Sequence, residues 1–396
     1  MHNYKGNIPK IYAFRFFFMF LIIIPVIIPF YLSLNLSMSQ IFILQAIMGF
    51  TVAVFEVPSG YLCDLWGRKK TMLLGSSLTA IGFIYLIFAT TYELLIIHEI
   101  IIGIGLSMIS GSDVSLLYDS LIQDEHSREN SSIALSNLQF SSALSETIAS
   151  VVGGLLVKIS FFTVITTHAF FACFPFFIAL TLKEPPYQKM DNKSHKENTL
   201  KVLRHIFQSD KLLTLVFFNQ IIWGLSTFTA VWIYQKHWSD HSIDLAYFGI
   251  LWAAYNLTHG LVSKNVHFFE KRFGAPFLLV LMGLLPICGY FGLGALSGWF
   301  GVAVGFLFQV SRGITQVILK DALNWRTPSE FRATANSLVS LFFRLGFCLI
   351  GPLTGYLIDK QGMSFAMNSL AAFFILGFLV FLIPFIKMVR NQIPET

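Results

Sequence analysis

The chain has 396 residues, of which 55% are hydrophobic, 16% aromatic and only 12% charged. A soluble domain carries about 25% charged residues, so this chain lacks the polar side chains to cover a water-facing surface. Fibrous and disordered classes are excluded with it, because 28 Gly and 13 Pro are ordinary counts and 42 Phe is the reverse of disorder. The reading is an all-α membrane protein.

A membrane-crossing helix needs about 20 mostly apolar residues. Cutting the chain at turn and charge clusters predicts twelve, at 11–33, 40–62, 71–90, 93–118, 132–157, 160–182, 212–235, 243–265, 275–296, 299–323, 333–358 and 363–387. The fourth and tenth contain ionisable residues and are the weakest by hydropathy. The first starts after ten residues and ends without a small-residue cleavage site, so it reads as a retained helix. Cys63, Cys173, Cys288 and Cys348 stand in or beside apolar runs without a CxxC pair, so neither a disulfide framework nor a structural zinc is expected.

With the N-terminus in the cytoplasm, 21 of the 27 Lys and Arg fall on the cytoplasmic side. Lys158, Lys236 and Lys360 fall opposite, and Arg15, Arg312 and Arg344 lie inside spans. Positive charge collects on the cytoplasmic side of membrane proteins, which predicts that both termini are inside. Topology then accounts for the net charge of +6, and no clustered soluble basic face supports nucleic-acid binding.

The long polar stretch Lys183 to Lys211 divides the spans six and six, giving an N-terminal bundle at 1–182, a cytoplasmic linker at 183–211 and a C-terminal bundle at 212–396. Within the linker, Leu200, Leu203 and Phe207 alternate with Lys201 and Arg204 at helical spacing, as in a short helix lying on the inner membrane surface. An internal repeat supports the division. Gly111, Asp119 and Leu121 recur at an offset of 202 as Gly313, Asp321 and Leu323, and Gly154 recurs at an offset of 201 as Gly355. Two six-helix bundles related by a pseudo-two-fold are a common plan of secondary transporters.

Between the second and third spans the chain reads Gly60-Tyr-Leu-Cys-Asp64-Leu-Trp-Gly67-Arg68-Lys69-Lys70. A Gly late in a helix permits close helix approach, Gly67 permits a tight turn, Asp64 can cap a helix or pair with a base, and the three cations face the anionic inner leaflet. This stretch resembles the signature loop of the major facilitator superfamily, G-x-L-x-D-x-x-G-R-K/R, in the place that family puts it, and the resemblance extends over the whole chain. Glu270-Lys271-Arg272-Phe-Gly274 resembles a degraded second copy. The resemblance implies that Gly60, Asp64, Gly67, Arg68 and Lys69 act as a cytoplasmic gating latch. Two departures stand out. Glu99 occupies the place of an arginine found in the family's exporters, and their fifth-span small-residue motif persists as Ser145, Ala149, Ser150, Gly153 and Gly154 without its proline.

Ionisable groups at membrane depth are costly and are functional candidates by default. Glu146, Arg312 and Arg344 fall near mid-span, Glu99 toward the outer side, and Arg15, Glu56, Asp113 and Asp119 toward the cytoplasm. The family resemblance implies that the first, fourth, seventh and tenth helices line the cavity, which would place Arg15, Asp113 and Arg312 on it, with Trp223, Trp232, Trp252 and Tyr255 as aromatic candidates. An arginine fork suits carboxylate or phosphate, so Arg312, Arg344 and Arg15, with Trp223 and Tyr255, are the expected substrate contacts, and an N-terminal acid such as Glu146 is the equal alternative counter-charge for Arg312 and Arg344. Glu146 and Asp113 are the expected proton carriers, with a fixed interhelical bond as the equal alternative for each. Glu56 is expected to brace the signature loop, while Asp119 and Asp321 are expected to gate through Arg128 and Arg332. His98, His168 and His259 read as hydrogen-bonded polar residues, and Trp238 and Trp299 as interfacial anchors.

No P-loop, metal cluster or nucleophile elbow is present, so neither an enzyme nor a cofactor is expected. The expectation is a monomeric, proton-coupled secondary transporter of a small organic solute in a bacterial inner membrane, working as an antiporter in efflux of an amphipathic or anionic compound. Its partners would be solute, protons and the lipid bilayer, with no nucleic acid. The alternatives are proton-driven uptake of an amino acid, nucleoside or carboxylate and, more remotely, a polytopic enzyme or sensor.

Overall fold

A computed structural model describes residues 4–121, 127–186, 206–207, 210–328 and 331–391. Among the described residues the regular structure is helical, with no strand. Most of the linker, including all but Ile206 and Phe207 of its expected surface helix, lies outside them. The helices are α1 (Asn7–Phe18), α2 (Ile27–Ser33), α3 (Met38–Trp66), α4 (Arg68–Leu86), α5 (Tyr92–Ile109), α6 (Ser112–Leu121), α7 (Ser127–Leu156), α8 (Phe161–Ala172) and α9 (Phe174–Thr181). After the linker come α10 (Lys211–Asp240), α11 (Leu245–Phe273), α12 (Ala275–Ala295), α13 (Gly298–Arg326), α14 (Arg332–Gln361), α15 (Met363–Gly377) and α16 (Ile383–Arg390).

Eight helical stretches among the described residues are long and apolar enough to cross a membrane, and they match the second, fourth, sixth, seventh and ninth to twelfth expected spans. The weak spans are therefore the first, third, fifth and eighth, rather than the fourth and tenth. The cause is local composition and breakage. Serines populate α7, a basic cluster opens α4, and α11 ends in Lys264, His267, Glu270, Lys271 and Arg272.

Breaks in the spans have identifiable causes. A proline lacks an N–H and its ring crowds the preceding turn, and Pro25 opens a 3-10 turn between α1 and α2. The Ile22 backbone N–H is shared between the Phe20 carbonyl at 3.1 Å and His168 Nδ1 at 3.2 Å. Gly111, at φ +81°, separates α5 from α6, and Pro175 stands at the start of α9. A π-helical turn, Phe378–Leu382, joins α15 to α16.

Two compact units result. Unit 1 comprises Met1–Leu36, Leu44–Met190 and Asp244–Ala253, and unit 2 comprises Ser37–Ile43, Asp191–Ile243 and Ala254–Thr396. Inside unit 1, α4 packs on α5, α8 and α9, while α1 packs on α7 and α9. Ile11, Phe14, Met72, Leu116, Leu138 and Ala179 belong to one apolar cluster. The α4–α5 approach is backbone to backbone, since a Cβ on Gly105 would stand 3.0 Å from the Gly75 carbonyl oxygen. The small residues of α7 are spent in the same way. Ser145 Oγ donates to the Phe16 carbonyl, Gly153 faces the Ile22 carbonyl, and Gly154 meets Gly249 at the start of α11.

Unit 2 is built on α10 packed against α13 and α14, with α12 against α13 and α15. Its centre is aromatic, with Trp223, Tyr234, Trp238, Tyr255, Tyr290, Phe308 and Phe374 all fully buried. Gly355 of α14 touches the Met38 carbonyl and Ser39 at the start of α3, where a Cβ would stand 2.6 Å from the oxygen. The Asp359 carboxylate accepts the N–H groups of Met38 and Ser39 at 2.9 and 2.7 Å. Gly154 and Gly355 thus share a role as well as a place in the repeat. Gly111 and Gly313 do not, because Gly313 continues a helix against Val262.

Candidate functional site

The signature loop is built around Gly67, the residue before α4, at φ +98°. A side chain is strained there, and a Cβ would also stand 2.8 Å from the Glu184 carboxyl carbon. Glu184 explains the crowding. Its two oxygens accept the backbone N–H groups of Arg68 and Lys69, each at 2.7 Å, so a carboxylate from beyond α9 caps the positive end of α4. The Arg68 side chain reaches Asp119 Oδ2 at 3.2 Å and the Cys63 carbonyl at 3.4 Å, and Lys69 Nζ donates to the Leu180 carbonyl at 2.9 Å. Five segments of unit 1 are thereby tied at one point. Glu184 is absent from the sequence-based candidates, because nothing local ties it to Arg68 and Lys69, more than a hundred residues earlier.

The second copy keeps the turn but not the network. Gly274 precedes α12 at φ +82° as Gly67 precedes α4. Among the described residues no neighbour approaches a Cβ built on Gly60 within 4 Å, so they make no close helix approach there. The Asp64 and Arg128 side chains lie outside the described residues, and Asp119 pairs with Arg68. The expected Asp321–Arg332 pair is replaced. Arg332 Nε donates to the carbonyls of Asn324 and Thr327 at 2.8 and 3.2 Å, while Asp321 lies 3.5 Å from His267 Nε2. Helix geometry decides this, because Arg332 opens α14 where the last carbonyls of α13 need donors. Nearby, Arg326 pairs with Asp210, the N-cap of α10, at 3.0 Å.

A cavity of about 610 Å³ opens at these charged helix ends, lined by Leu212, His267, Glu270, Asp321, Arg326 and Arg332 among others. None of Arg312, Arg344, Arg15, Trp223 and Tyr255 lines it.

In unit 1, Arg15 NH1 lies 3.0 Å from Asp113 Oδ2, and its Nε donates to Ser142 Oγ at 2.9 Å. Asp113 is 1% exposed, so α1, α6 and α7 meet at a buried ion pair. Burying such a pair is costly, and removing one partner is costlier still. Glu99 makes a different arrangement, accepting from Tyr31 Oη at 2.9 Å and Gln45 Nε2 at 3.2 Å. Sequence spacing did not bring these three together. Glu146 is half-buried on α7, and Glu56 is half-buried on α3.

In unit 2, Arg312 is half-buried and within electrostatic reach of Tyr234 and His259. His259 Nε2 lies 2.8 Å from Gln316 Oε1. Arg344 Nε donates to Ser340 Oγ at 3.4 Å. Two aromatic candidates are already engaged. Trp223 donates its indole N–H to Asn219 at 2.9 Å and packs on Phe374 and Phe378. Tyr255 donates to the Val302 carbonyl at 2.6 Å. Trp232 is buried against Phe228, and Trp252 is half-buried. Trp238 is fully buried and stacked on Tyr234, so only Trp299, 56% exposed, keeps an anchor's position. His98 and His168 hydrogen-bond the backbone at Gly82 and Ile22.

Comparison with known proteins agrees with this architecture. The chain is 24% identical over 359 residues to the inner membrane transport protein YajR of Escherichia coli (strain K12), covering 88% of this chain and 76% of that one. It is 21% identical over 364 residues to the MFS-type transporter YxaM of Bacillus subtilis (strain 168), covering 88% of each. Among solved structures, the nucleoside transporter NupG superposes with a TM-score of 0.75 at 14% identity, covering 97% of this chain and 99% of that one. A POT family transporter in complex with 5-aminolevulinic acid gives 0.79 at 13%, covering 96% of each. These likenesses establish the fold. A model described as Major Facilitator Superfamily matches residues 11–349, and the chain belongs to that family of integral membrane transporters.

Proposed function

We propose that this transporter is a proton-coupled carrier that exports a small amphipathic or anionic solute, drug-like or siderophore-like, across a bacterial inner membrane. It works as a monomer with both termini in the cytoplasm. Residues 1–182 and 212–396 alternate access about the linker at 183–211. Arg312, Arg344 and Arg15 supply positive charge to the solute, Asp113 and Glu146 carry the exchanged proton, and Gly67, Arg68, Lys69 and Asp119 hold the cytoplasmic gate.

The observation that carries this reading is the Arg15–Asp113 pair, 3.0 Å apart on helices of unit 1. Protonating Asp113 removes the negative half of the pair, so a proton arriving at this buried position changes what holds α1 to α6. A charge that appears and disappears with water access is the requirement of a proton-coupled carrier.

A thermal-shift panel of anionic, cationic and neutral solutes on the purified protein, repeated with Arg312→Ala, tests the solute class. Stabilisation by anions that Arg312→Ala abolishes is expected, and an unchanged panel would remove the anion assignment. Accumulation of a stabilising solute in everted rather than right-side-out vesicles is expected for export, and the opposite preference would turn the direction to uptake.

A further inference from the structure

Glu99 is 3% exposed and joins three helices, since its Oε1 accepts from Tyr31 on α2 and Gln45 on α3 while it rides on α5 itself. Those two neutral groups are its hydrogen-bond donors among the described residues. The stretches forming α2, α3 and α5, residues 27–33, 38–66 and 92–109, contain no Lys or Arg at all. The fourth helix at hand, α4, faces α5 through Gly82, whose carbonyl is 2.8 Å from His98 Nδ1. Its cations, Arg68, Lys69 and Lys70, are at least twelve residues from Gly82, or ~18 Å along the helix. The other ionisable groups on these elements are Glu56, Tyr61, Cys63 and Asp64 toward the far end of α3, Tyr85 on α4, and Tyr92 and Glu93 at the start of α5. The phenol of Tyr31 itself and His98, whose Nδ1 is turned to the Gly82 carbonyl, complete the set. None is a permanent cation.

An ionised carboxyl buried in a membrane protein without a counter-charge is costly, whereas a protonated carboxyl keeps the same two hydrogen bonds and adds one donor. The two charge states also hold the helices differently, because hydrogen bonds to an ionised acceptor are roughly twice as strong as neutral ones. Asp113 differs in kind, having Arg15 beside it.

The geometry points to Glu99 as a proton-binding site of unit 1, distinct from Asp113, in which Tyr31 and Gln45 hold the carboxyl in both charge states and transmit its charge to α2 and α3. Loading is a bare protonation, in which a carboxylate oxygen takes up one proton from water and the carboxyl becomes neutral. As a step of transport, the site rests on the proton-coupled reading above.

Infrared difference spectroscopy of the purified protein in liposomes, titrated with pH, reads the site without a known solute. A protonated-carboxyl C=O band that fades on alkalinisation is expected in the parent, absent in Glu99→Gln and shifted in frequency in Tyr31→Phe. The second variant keeps the test informative should Glu99→Gln fail to fold. Bands identical in the parent and both variants would overturn the proposal, as would a Glu99 band that no pH removes. A titration that moves when choline is replaced by sodium at constant ionic strength would make the group a metal-cation site and overturn it too. Dye-monitored proton uptake into the same vesicles separates the two readings. Uptake unaffected by Glu99→Gln, Asp113→Asn and Glu146→Gln, alongside a titrating Glu99, would overturn proton coupling of transport and leave the binding site standing.

Discussion

The Glu184 carboxylate accepts the backbone N–H of Arg68 at 2.7 Å, joining the end of the sixth span to the start of the third. Its second oxygen takes the N–H of Lys69, so one side chain satisfies two of the donors that a helix start leaves without partners. The signature loop is therefore a cap as much as a charge cluster. Arg68 contributes twice, through its backbone to Glu184 and through its side chain to Asp119.

Glu184→Ala is expected to destabilise the purified protein by about 1–3 kcal/mol, because both N–H groups lose a charged acceptor. Glu184→Gln keeps one acceptor oxygen and should lose less. Thermal unfolding of both variants checks the order, and equal loss in the two would argue against a capping role.

Asp113→Asn is expected to cost about 3–5 kcal/mol, since it leaves Arg15 charged and partly buried beside a neutral group. The double variant Arg15→Met with Asp113→Asn should recover part of that loss. A double-mutant cycle by thermal unfolding measures the coupling, and strictly additive losses would show that the pair is not coupled.

Glycines of the same chain should respond in opposite ways. A Cβ on Gly249 would lie 2.1 Å from the Ser150 carbonyl oxygen, so Gly249→Ala should destabilise unit 1 by about 1–3 kcal/mol. Gly260 faces open space inside α11, where Gly260→Ala should stabilise by about 0.5–1 kcal/mol. Melting temperatures that move the same way in both variants would contradict these surroundings.

Asp321 and Arg332 should behave independently. Each has a different partner, and the Asp321–His267 contact is between side chains 62% and 59% exposed. Such surface pairs contribute about 0–1 kcal/mol. A cycle of Asp321→Asn and Arg332→Gln is expected to give coupling below about 0.5 kcal/mol, and a larger value would restore the gating pair.

Several features were legible in the sequence because they follow from composition and short spacings. Low charge set the membrane class, the spread of Lys and Arg set the expected orientation, and Gly60 to Lys70 carried the family. The turn glycine Gly67 was found for the same reason, since a residue that must adopt positive φ is a local property. Even the repeat partners Gly154 and Gly355 took matching roles.

Contacts between distant segments were decided only by packing. Nothing local links Glu184 to Arg68, Tyr31 and Gln45 to Glu99, or His168 to the Ile22 N–H, because each bond joins residues far apart in the chain. Trp238 shows the same limit, since position along a span cannot tell an aromatic ring at the interface from one stacked in a core. Hydropathy is a property of a residue and its near neighbours, so the chain alone determined what this protein is made to dissolve in. Which buried acid meets a cation and which meets only neutral donors depends on how helices rotate and approach, and that was settled by the tertiary structure.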